Sequence, residues 1–312
     1  MTTVSVIIPT YNCVEYLPRA LGSVLSQTHV DFEVIIVDDN SSDETQAYLS
    51  HLFDKRIKVL KTTGVGASEA RNVGIRESSN DFIAFLDADD FWVEEKLKTQ
   101  LVFHSHYPNI AMSFTNYDHL NEQYQPIIDC FSYWHQFQDE KDEYVFLDNP
   151  LEFILGNNII GTSTVMVKRN VLVQLKMFNP HTSYAEDWEL WLRISEKYDI
   201  GIINAIQTGY LMRKGSTTQT DTHRLDNLQS IESIISRYQR AKSKWNISST
   251  SFDKAHARVL EGYAEHHRGM NHYATAIWFG LRALRLAPDK RKLRSLLGDF
   301  RKLTHSFSLR RV

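Results

Sequence analysis

The sequence predicts an α/β fold in which helices flank a mostly parallel sheet. Over the first 116 residues, short apolar runs rich in β-branched residues alternate with helical patterns. Three runs, at 4–8, 34–37 and 82–86, are almost continuously apolar, as expected of strands covered on both faces. A polar cluster follows each of the three. Because ligands bind at the carboxyl ends of strands in open α/β sheets, these clusters are predicted to face one pocket.

The individual elements follow from the same alternation. Strands are predicted at Val4–Ile8, Glu33–Val37, Ile57–Leu60, Phe82–Leu86 and Ile110–Phe114, with helices at Val14–Ser26, Asp43–Leu52, Ala67–Ser78 and Glu94–Tyr107. Residues 117–148 show no clear period and are predicted to be a long irregular excursion. Beyond them we expect helices at Pro150–Leu155, Arg169–Met177 and 186–197, a strand at Thr162–Val167, and only helices from Leu225 onward. Residues 1–224 would form one domain and residues 225–312 a helical segment containing a degenerate helix-turn-helix repeat.

Composition narrows the class of protein. The 312 residues are 42% hydrophobic, enough for a full core. Only Cys13 and Cys130 are present, which predicts neither a disulfide framework nor a zinc site and favours a reducing cytoplasm. The first residues lack a basic leader, and no apolar run approaches the length of a membrane span. We therefore expect a cytoplasmic protein.

Charge is unevenly distributed along the chain. Residues 230–312 hold 17 Lys and Arg against 6 Asp and Glu, a net charge of +11, whereas residues 1–229 carry −14. The acidic body argues against nucleic acid as a partner, because binding to phosphate backbones is driven by clustered cations. The basic segment predicts either peripheral contact with the anionic inner face of a membrane or a solvated helical cap that offsets the acidic body. In both cases one side of the helices would be buried, through Ala264, Ile277, Leu281, Leu284 and Leu286. The other side would present the cations Arg282, Arg285, Lys290, Arg291, Lys292 and Arg294.

The strongest local signal is Asp87-Ala88-Asp89-Asp90, directly after an apolar run. Hard divalent cations such as Mg²⁺ and Mn²⁺ take oxygen ligands, usually one or two carboxylates together with substrate phosphates. The alternative is a loop of solvated acids in which Asp90 caps a following helix.

Two further features support a ligand pocket. Asp38 and Asp39 also follow a strand; one would be structural and the other could accept hydrogen bonds from a base or ribose, and spacing does not separate them. The glycines Gly64 and Gly66 precede a helix that carries Arg71, which could hold a phosphate or the base.

The whole pattern resembles the large inverting glycosyltransferase family two, whose catalytic domain has the GT-A fold. The resemblance covers roughly residues 1–220, about 70% of the chain, and rests on five motifs in the family's order. These are Val4-Ser5-Val6-Ile7-Ile8-Pro9-Thr10-Tyr11-Asn12, Val37-Asp38-Asp39-Asn40-Ser41-Ser42-Asp43, Ala70-Arg71-Asn72-Val73-Gly74, Asp87-Ala88-Asp89-Asp90 and Glu186-Asp187-Trp188.

The resemblance implies transfer of a sugar, with inversion, from a nucleoside-diphosphate sugar to an acceptor hydroxyl. UDP is the expected nucleotide, and a glycan or lipid-linked molecule in cell-surface polysaccharide synthesis is the expected acceptor. Asp89 would bind Mn²⁺ or Mg²⁺. The donor would be bound by Pro9, Thr10, Tyr11, Asp39 at the base, Arg71, Asp87 at the ribose, and Ala88.

Glu186-Asp187-Trp188 opens a helix whose Leu190, Trp191 and Ile194 have the spacing of a buried face. Acids at a helix N-terminus are favourable in any protein. The resemblance instead makes Asp187 the general base and places Glu186 and Trp188 at the acceptor. The helix end is expected to lower the pKa of Asp187, so its basicity would have to come from partial burial or from the charge of the nearby diphosphate.

One motif departs from the family. Where members often carry a His that contacts the diphosphate or metal, this chain has Arg213 and Lys214. They could neutralise the leaving diphosphate but could not ligate a metal as imidazole does, and His223 is expected to be a surface residue.

Three other functions have weaker sequence support. A sugar-phosphate nucleotidyltransferase would carry a Gly-rich loop after the first strand, and a haloacid-dehalogenase-like phosphatase would carry its aspartate motif there; both features are missing. A non-catalytic scaffold built on the helical segment would not need the acid cluster. The sequence gives no indication of oligomeric state.

Overall fold

The computed structural model describes residues 3–29, 31–182, 184–213 and 224–309. The chain divides into two compact units. The sheet unit comprises Met1–Pro150, Ile159–His181 and Glu186–Arg213, and the helical unit comprises Leu151–Asn158, Thr182–Ala185 and Lys214–Val312. Two short segments upstream of residue 224 thus belong to the helical unit by their contacts. The assignment of residues 1–224 to a catalytic domain and of residues 225–312 to a separate helical segment stays a prediction.

The sheet unit is built on a mixed sheet. Its strands are β1 (Val4–Thr10), β2 (Phe32–Asp38), β3 (Ile57–Lys61), β4 (Phe82–Phe85), β5 (Phe91–Trp92), β6 (Met112–Leu120), β7 (Pro126–Asp129), β8 (Tyr144–Phe146), β9 (Met166–Lys168) and β10 (Ile200–Leu211). The order is β3-β2-β1-β4-β9-β6-β10-β5, with β7 paired to β6 and β8 to β10. Strands β1 to β4, β6 and β10 run in one direction, and strands β5, β7, β8 and β9 run against them.

Helices cover both faces of this sheet. Those of the sheet unit are α1 (Leu17–Leu25), α2 (Thr45–Ser50), α3 (Ala67–Glu77), α4 (Lys96–His106), α5 (Cys130–Tyr133), α7 (Arg169–Gln174) and α8 (Glu186–Ser195). The helix α6 (Pro150–Gly156) belongs, from Leu151 onward, to the helical unit. Side chains alternate between faces along a strand. Val34 and Ile36 of β2 accordingly pack with α1, whereas Ile35 and Val37 pack with Ala70 of α3. The predicted α/β class is confirmed.

Three expectations beyond residue 110 were wrong. Residues 117–148 are not one irregular excursion, because they contain the end of β6, β7, α5 and β8. The strand expected at Thr162–Val167 is a 3-10 turn at Thr162–Thr164 followed by the shorter β9. The 12-residue strand β10 was not predicted at all. The register of β10 against β6 shifts between Ile203 and Thr208, which breaks the alternation that identifies a strand in sequence.

The helical unit is described from Arg224 onward by α9 (Arg224–Arg240), α10 (Lys242–Trp245), α11 (Ser249–Gly269), α12 (Tyr273–Leu286) and α13 (Lys290–Leu309). Its core includes Ala257, Leu260 and Ala283, and the Tyr263 and Phe279 rings stack with centroids 5.1 Å apart. The helices predicted for this part of the chain are confirmed, and α11 and α12 form a helical hairpin. Whether this hairpin is a degenerate copy of a helix-turn-helix repeat stays a prediction. In the described part of the chain, no helix combines the length and apolar character needed to cross a membrane.

Several predicted positions in the helical unit were wrong. Ala264 and Ile277 are buried as expected, but Leu281 and Leu286 are exposed. Arg291 and Lys292 do not point freely outward, because both form ion pairs with Glu261.

Gly74 allows α3 to approach β1. A Cβ at this position would lie 2.6 Å from Ile7 Cγ2, and Ile7 is a fully buried, β-branched strand residue with little freedom to move. Gly74→Ala is therefore expected to lower the free energy of unfolding by about 1–3 kcal/mol, as overpacking does. Gly22→Ala in α1 is the matched control, since no atom lies within 4 Å of its added Cβ. The control should stabilise the helix by about 0.5–1 kcal/mol. Urea denaturation followed by tryptophan fluorescence measures both changes, and equal effects would contradict the close approach.

Candidate functional site

The polar edge of the site begins where β1 and β2 end. Pro9 and Thr10 close β1, and Thr10 is paired in register with Asp38. Tyr11 follows with 58% of its surface exposed. Thr10 Oγ1 and Asp38 Oδ2 are buried and lack a hydrogen-bond partner among the described residues. Buried polar atoms are normally hydrogen-bonded, so these two oxygens mark an edge with unused bonding capacity.

Asp39 anchors the loop that leads into α3. Its carboxylate accepts hydrogen bonds from Thr62 Oγ1 (2.5 Å) and from the backbone amides of Gly64 (3.1 Å), Val65 (2.7 Å) and Gly66 (2.7 Å). Burial alone would raise the pKa of Asp39, but these hydrogen bonds hold it below its usual value. Gly64 and Gly66 have φ values of 87° and 85°, which side chains rarely adopt. The assignment of Asp39 to the nucleotide base stays a prediction, and the structure adds this anchoring role.

The acid cluster after β4 is held by Ser163. Its Oγ accepts from the Asp87 amide (3.0 Å) and donates to Asp90 Oδ2 (2.6 Å), while Asp90 Oδ1 accepts from the Leu211 amide (3.2 Å). Asp90 is buried, and burial together with the charges of Asp89 and Asp87 raises its pKa well above the usual value. The alternative in which Asp90 caps a following helix is wrong, because β5 follows it. Asp90 instead fastens the cluster to β10.

Arg71 of α3 connects this cluster to the start of α8. Its Nη2 donates to Asp87 Oδ1 (2.8 Å) and its Nη1 donates to Glu186 Oε1 (2.9 Å). The Arg71 side chain is only 6% exposed. Burial opposes its charge, but the carboxylates of Asp87 and Glu186 outweigh burial and raise the pKa of Arg71. The sequence-predicted donor residue Asp87 and acceptor residue Glu186 thus share one guanidinium.

Asp187 lies in the first turn of α8, half-buried beside this ion pair. Its Oδ2 accepts from Thr162 Oγ1 (2.8 Å) and its Oδ1 from the Trp188 amide (2.6 Å). Burial and the charge of Glu186 raise the pKa of Asp187 to about 6, although the Thr162 hydrogen bond and Arg71 act in the opposite direction. Burial therefore supplies the basicity that a helix N-terminus alone would not provide.

Asp89 faces a different cation. Its Oδ2 accepts from Arg213 Nε (2.8 Å), and the Arg213 guanidinium also lies 4.6 Å from the centroid of the Tyr16 ring. Burial and the charge of Asp87 raise the pKa of Asp89, and Arg213 compensates this only in part. Lys214 and His223 lie outside the described residues.

A divalent cation fits this arrangement only together with substrate. Among the residues that the structure describes, no group of three His, Cys, Asp or Glu side chains is placed to hold an ion. Mg²⁺ and Mn²⁺ are often bound by one or two carboxylates and completed by phosphates. Burial and the charge of Asp87 raise the pKa of Asp89, and a cation bound beside it would favour the ionised carboxylate. Asp89 is the residue that would hold it.

Two of the predicted site residues, Trp188 and Ala88, are buried. Trp188 has no exposed surface, so its predicted contact with the acceptor was wrong: the side chain is buried, as are those of Leu190, Trp191 and Ile194 in the same helix. Ala88 is also buried, at 4% exposure. Thr162 and Ser163 were missed, because a Thr-Ser-Thr run before an apolar stretch carries no signal of hydrogen bonds to residues 25 and 73 positions away.

Comparison with known proteins accords with this geometry. A family model described as glycosyl transferase family 2 matches residues 5–163, which includes the ends of β1, β2 and β4. The chain belongs to glycosyl transferase family 2. Its sheet has the GT-A fold, as in the crystal structure of S. aureus TarS 1-349 in complex with UDP-GlcNAc. That structure matches with a TM-score of 0.63 at 18% identity over 97% of this chain and 92% of that one.

Relatives with named activities are also similar. The UDP-Glc:alpha-D-GlcNAc-diphosphoundecaprenol beta-1,3-glucosyltransferase WfgD of Escherichia coli is 31% identical over 82% of this chain and 89% of its own length. The putative teichuronic acid biosynthesis glycosyltransferase TuaG of Bacillus subtilis is 35% identical over 62% of this chain and 72% of its own. An uncharacterized glycosyltransferase of Rickettsia felis is 34% identical over 72% of this chain, which spans only 35% of that longer protein.

Proposed function

We propose that this protein transfers a sugar from a UDP-sugar to a hydroxyl of a glycan or lipid-linked acceptor, with inversion at the anomeric carbon. The observation that carries the proposal is the Arg71 bridge, which brings the acid cluster after β4 and the Glu186-Asp187 turn into one hydrogen-bonded group. An enzyme that transfers a group from donor to acceptor needs its donor-binding residues and its acceptor-activating residues close together. The chemistry named for WfgD supports a lipid-diphosphate acceptor, and the TarS complex supports a UDP-sugar.

In this proposal, Asp187 acts as general base. The acceptor oxygen attacks the anomeric carbon, its proton passes to the Asp187 carboxylate, and the bond from that carbon to the diphosphate breaks with its electron pair on the phosphate oxygen. Arg71 remains with Asp87 and Glu186, which keeps the first turn of α8 oriented. A Mn²⁺ or Mg²⁺ ion held by Asp89 would supply Lewis-acid stabilisation of the charge on the leaving diphosphate.

Arg213 would assist the same departure. Its guanidinium is within hydrogen-bond distance of Asp89 and can present further donors to phosphate oxygens. The unpartnered oxygens of Thr10 and Asp38 support binding of the nucleoside at the ends of β1 and β2, since a ligand there could use them.

The proposal is tested by combining the whole chain, Mn²⁺, a panel of nucleotide sugars and a short-chain lipid-diphosphate GlcNAc acceptor. We expect release of UDP and a product heavier by one sugar, and we expect UDP-sugars to raise the unfolding temperature. In a separate reaction with UTP and a sugar 1-phosphate, release of pyrophosphate would indicate a nucleotidyltransferase instead. If no nucleotide sugar bound with or without Mn²⁺, glycosyl transfer would have to be abandoned.

The pKa of Asp187 also predicts a pH dependence. A general base acts in its ionised form, and the pKa of Asp187 in the free protein is about 6. Below that pH, kcat/KM should fall about ten-fold per pH unit as the carboxyl is protonated; above it, kcat/KM should reach a plateau. Initial rates between about pH 5 and 8 measure this profile. A flat profile across that range would contradict a base with this pKa.

A further inference from the structure

The outer surface of α13 combines large apolar side chains with cations. Leu293, Leu297 and Phe300 are 45%, 50% and 43% exposed. At about 100° per residue, they fall with three exposed cations inside one arc of roughly 120°. We call this set the basic-apolar face; it consists of Lys290, Leu293, Arg294, Leu297, Phe300 and Arg301.

This face carries no compensating acid. The only acid between residues 290 and 304 is Asp299, which is 2% exposed and turned inward. Asp299 receives Arg268 through two hydrogen bonds, of 2.6 and 2.8 Å. The inward cations Arg291 and Lys292 are also neutralised, by Glu261. The cations of the basic-apolar face, in contrast, have no acid near them on α13.

The neighbouring helix α12 has the same character. It contains no acid, and it packs on α13 where Gly280 meets Leu296. Trp278 and Leu281 are 52% and 49% exposed, and the Arg282 guanidinium lies 4.5 Å from the centroid of the Trp278 ring. Tryptophan and arginine together are typical of surfaces at the boundary between lipid headgroups and acyl chains.

We propose that the basic-apolar face of α13 docks on the surface of a bilayer that contains anionic lipid. Anionic headgroups attract the three cations, and the shallow apolar boundary accepts the leucines and phenylalanine, so one partner satisfies both kinds of side chain. A second copy of this face would be repelled by like charge. A nucleic acid would contact the cations but leave the apolar side chains exposed to water. The binding does not require the proposed sugar transfer and is tested without it.

The experiment is co-sedimentation of the whole chain with vesicles of phosphatidylcholine alone or mixed with phosphatidylglycerol, at low and high salt. Each cation near an anionic surface contributes about five-fold to partitioning. Arg294→Glu/Arg301→Glu should therefore lower the partition coefficient on anionic vesicles by at least about 25-fold. The matched control is Lys55→Glu/Lys197→Glu, which makes the same change of charge at exposed positions of the sheet unit and should bind like the unaltered chain.

A third variant, Leu293→Ser/Leu297→Ser/Phe300→Ser, separates insertion from charge attraction. Because it keeps every cation, it should still respond to salt but bind the anionic vesicles more weakly. Circular dichroism establishes that all variants retain their helices. Docking through this face is overturned if neutral and anionic vesicles recover the protein equally, if both charge variants bind alike, or if removal of the three apolar side chains leaves binding unchanged.

Discussion

Asp187→Asn is expected to slow sugar transfer by about 10²–10⁴-fold while donor affinity stays the same. The amide has the shape of the carboxyl group, and its oxygen can still accept the hydrogen bond from the Trp188 amide. It cannot take up a proton from an attacking hydroxyl. Single-turnover transfer rates and calorimetric titration with a UDP-sugar would measure the two effects separately.

The stability of the same variant distinguishes catalysis from folding. The pKa of Asp187 in the folded protein is about 6, above the value of about 3.9 for an unperturbed Asp. The folded state therefore holds the proton more tightly, so stability falls as the pH rises from about 3.9 to about 6 and stays lower above pH 6, where the charge of Asp187 makes folding less favourable. Asparagine removes that charge, so the unfolding midpoint at pH 7 should be unchanged or higher. Asp199→Asn, the same change at an exposed position, should affect neither rate nor stability. Full transfer activity in Asp187→Asn would eliminate Asp187 as the base.

Asp89→Ala should reduce metal-dependent turnover by about 10²–10³-fold or more, because it removes an electrostatic element at the leaving group. The variant should fold, since Asp89 is partly exposed and its ion pair is with Arg213, which also contacts the Tyr16 ring. Turnover measured across a Mn²⁺ titration should remain low at every concentration. If the folded variant showed the same Mn²⁺ response as the unaltered chain, the metal assignment would be withdrawn.

Arg213→Gln provides the control for that experiment, because Asp89 could matter only by holding Arg213. In that case the two single variants and the double variant would lose the same activity. If Asp89 binds the ion and Arg213 contacts the diphosphate, Arg213→Gln should retain a Mn²⁺ dependence that Asp89→Ala lacks. The double-variant cycle therefore separates the two roles.

Sequence patterns were sufficient to predict those features that depend only on the residues of a single strand or helix. The strands β1, β2 and β4 were visible as apolar runs, and their carboxyl ends brought Pro9 to Tyr11, Asp38-Asp39 and Asp87 to Asp90 to one edge of the sheet. The helical spacing of Leu190, Trp191 and Ile194 placed Asp187 in the first turn of α8. Local period and strand direction determine these features.

Other features depended on distant partners and could not be predicted in this way. Ser163 is one polar residue among many, and only the folded sheet places its hydroxyl between the Asp87 amide and the Asp90 carboxylate. The anchoring role of Asp39 depends on hydrogen bonds from the backbone amides of residues 64–66. Backbone amides occur at nearly every position, so the sequence does not indicate which of them Asp39 binds. Trp188 was assigned to the acceptor by position in a motif, yet burial, which spacing does not reveal, places it in the core.

The shared guanidinium of Arg71 limits how the acceptor side of this enzyme can be redesigned. A chimera that exchanges α8 for a segment from a relative would need a carboxylate at position 186, because Arg71 Nε already lacks a partner among the described residues. Leaving a nearly buried cation half-neutralised costs about 3–5 kcal/mol. Segment exchanges intended to change acceptor choice should therefore keep Arg71, Asp87 and Glu186 together and vary only the residues around them.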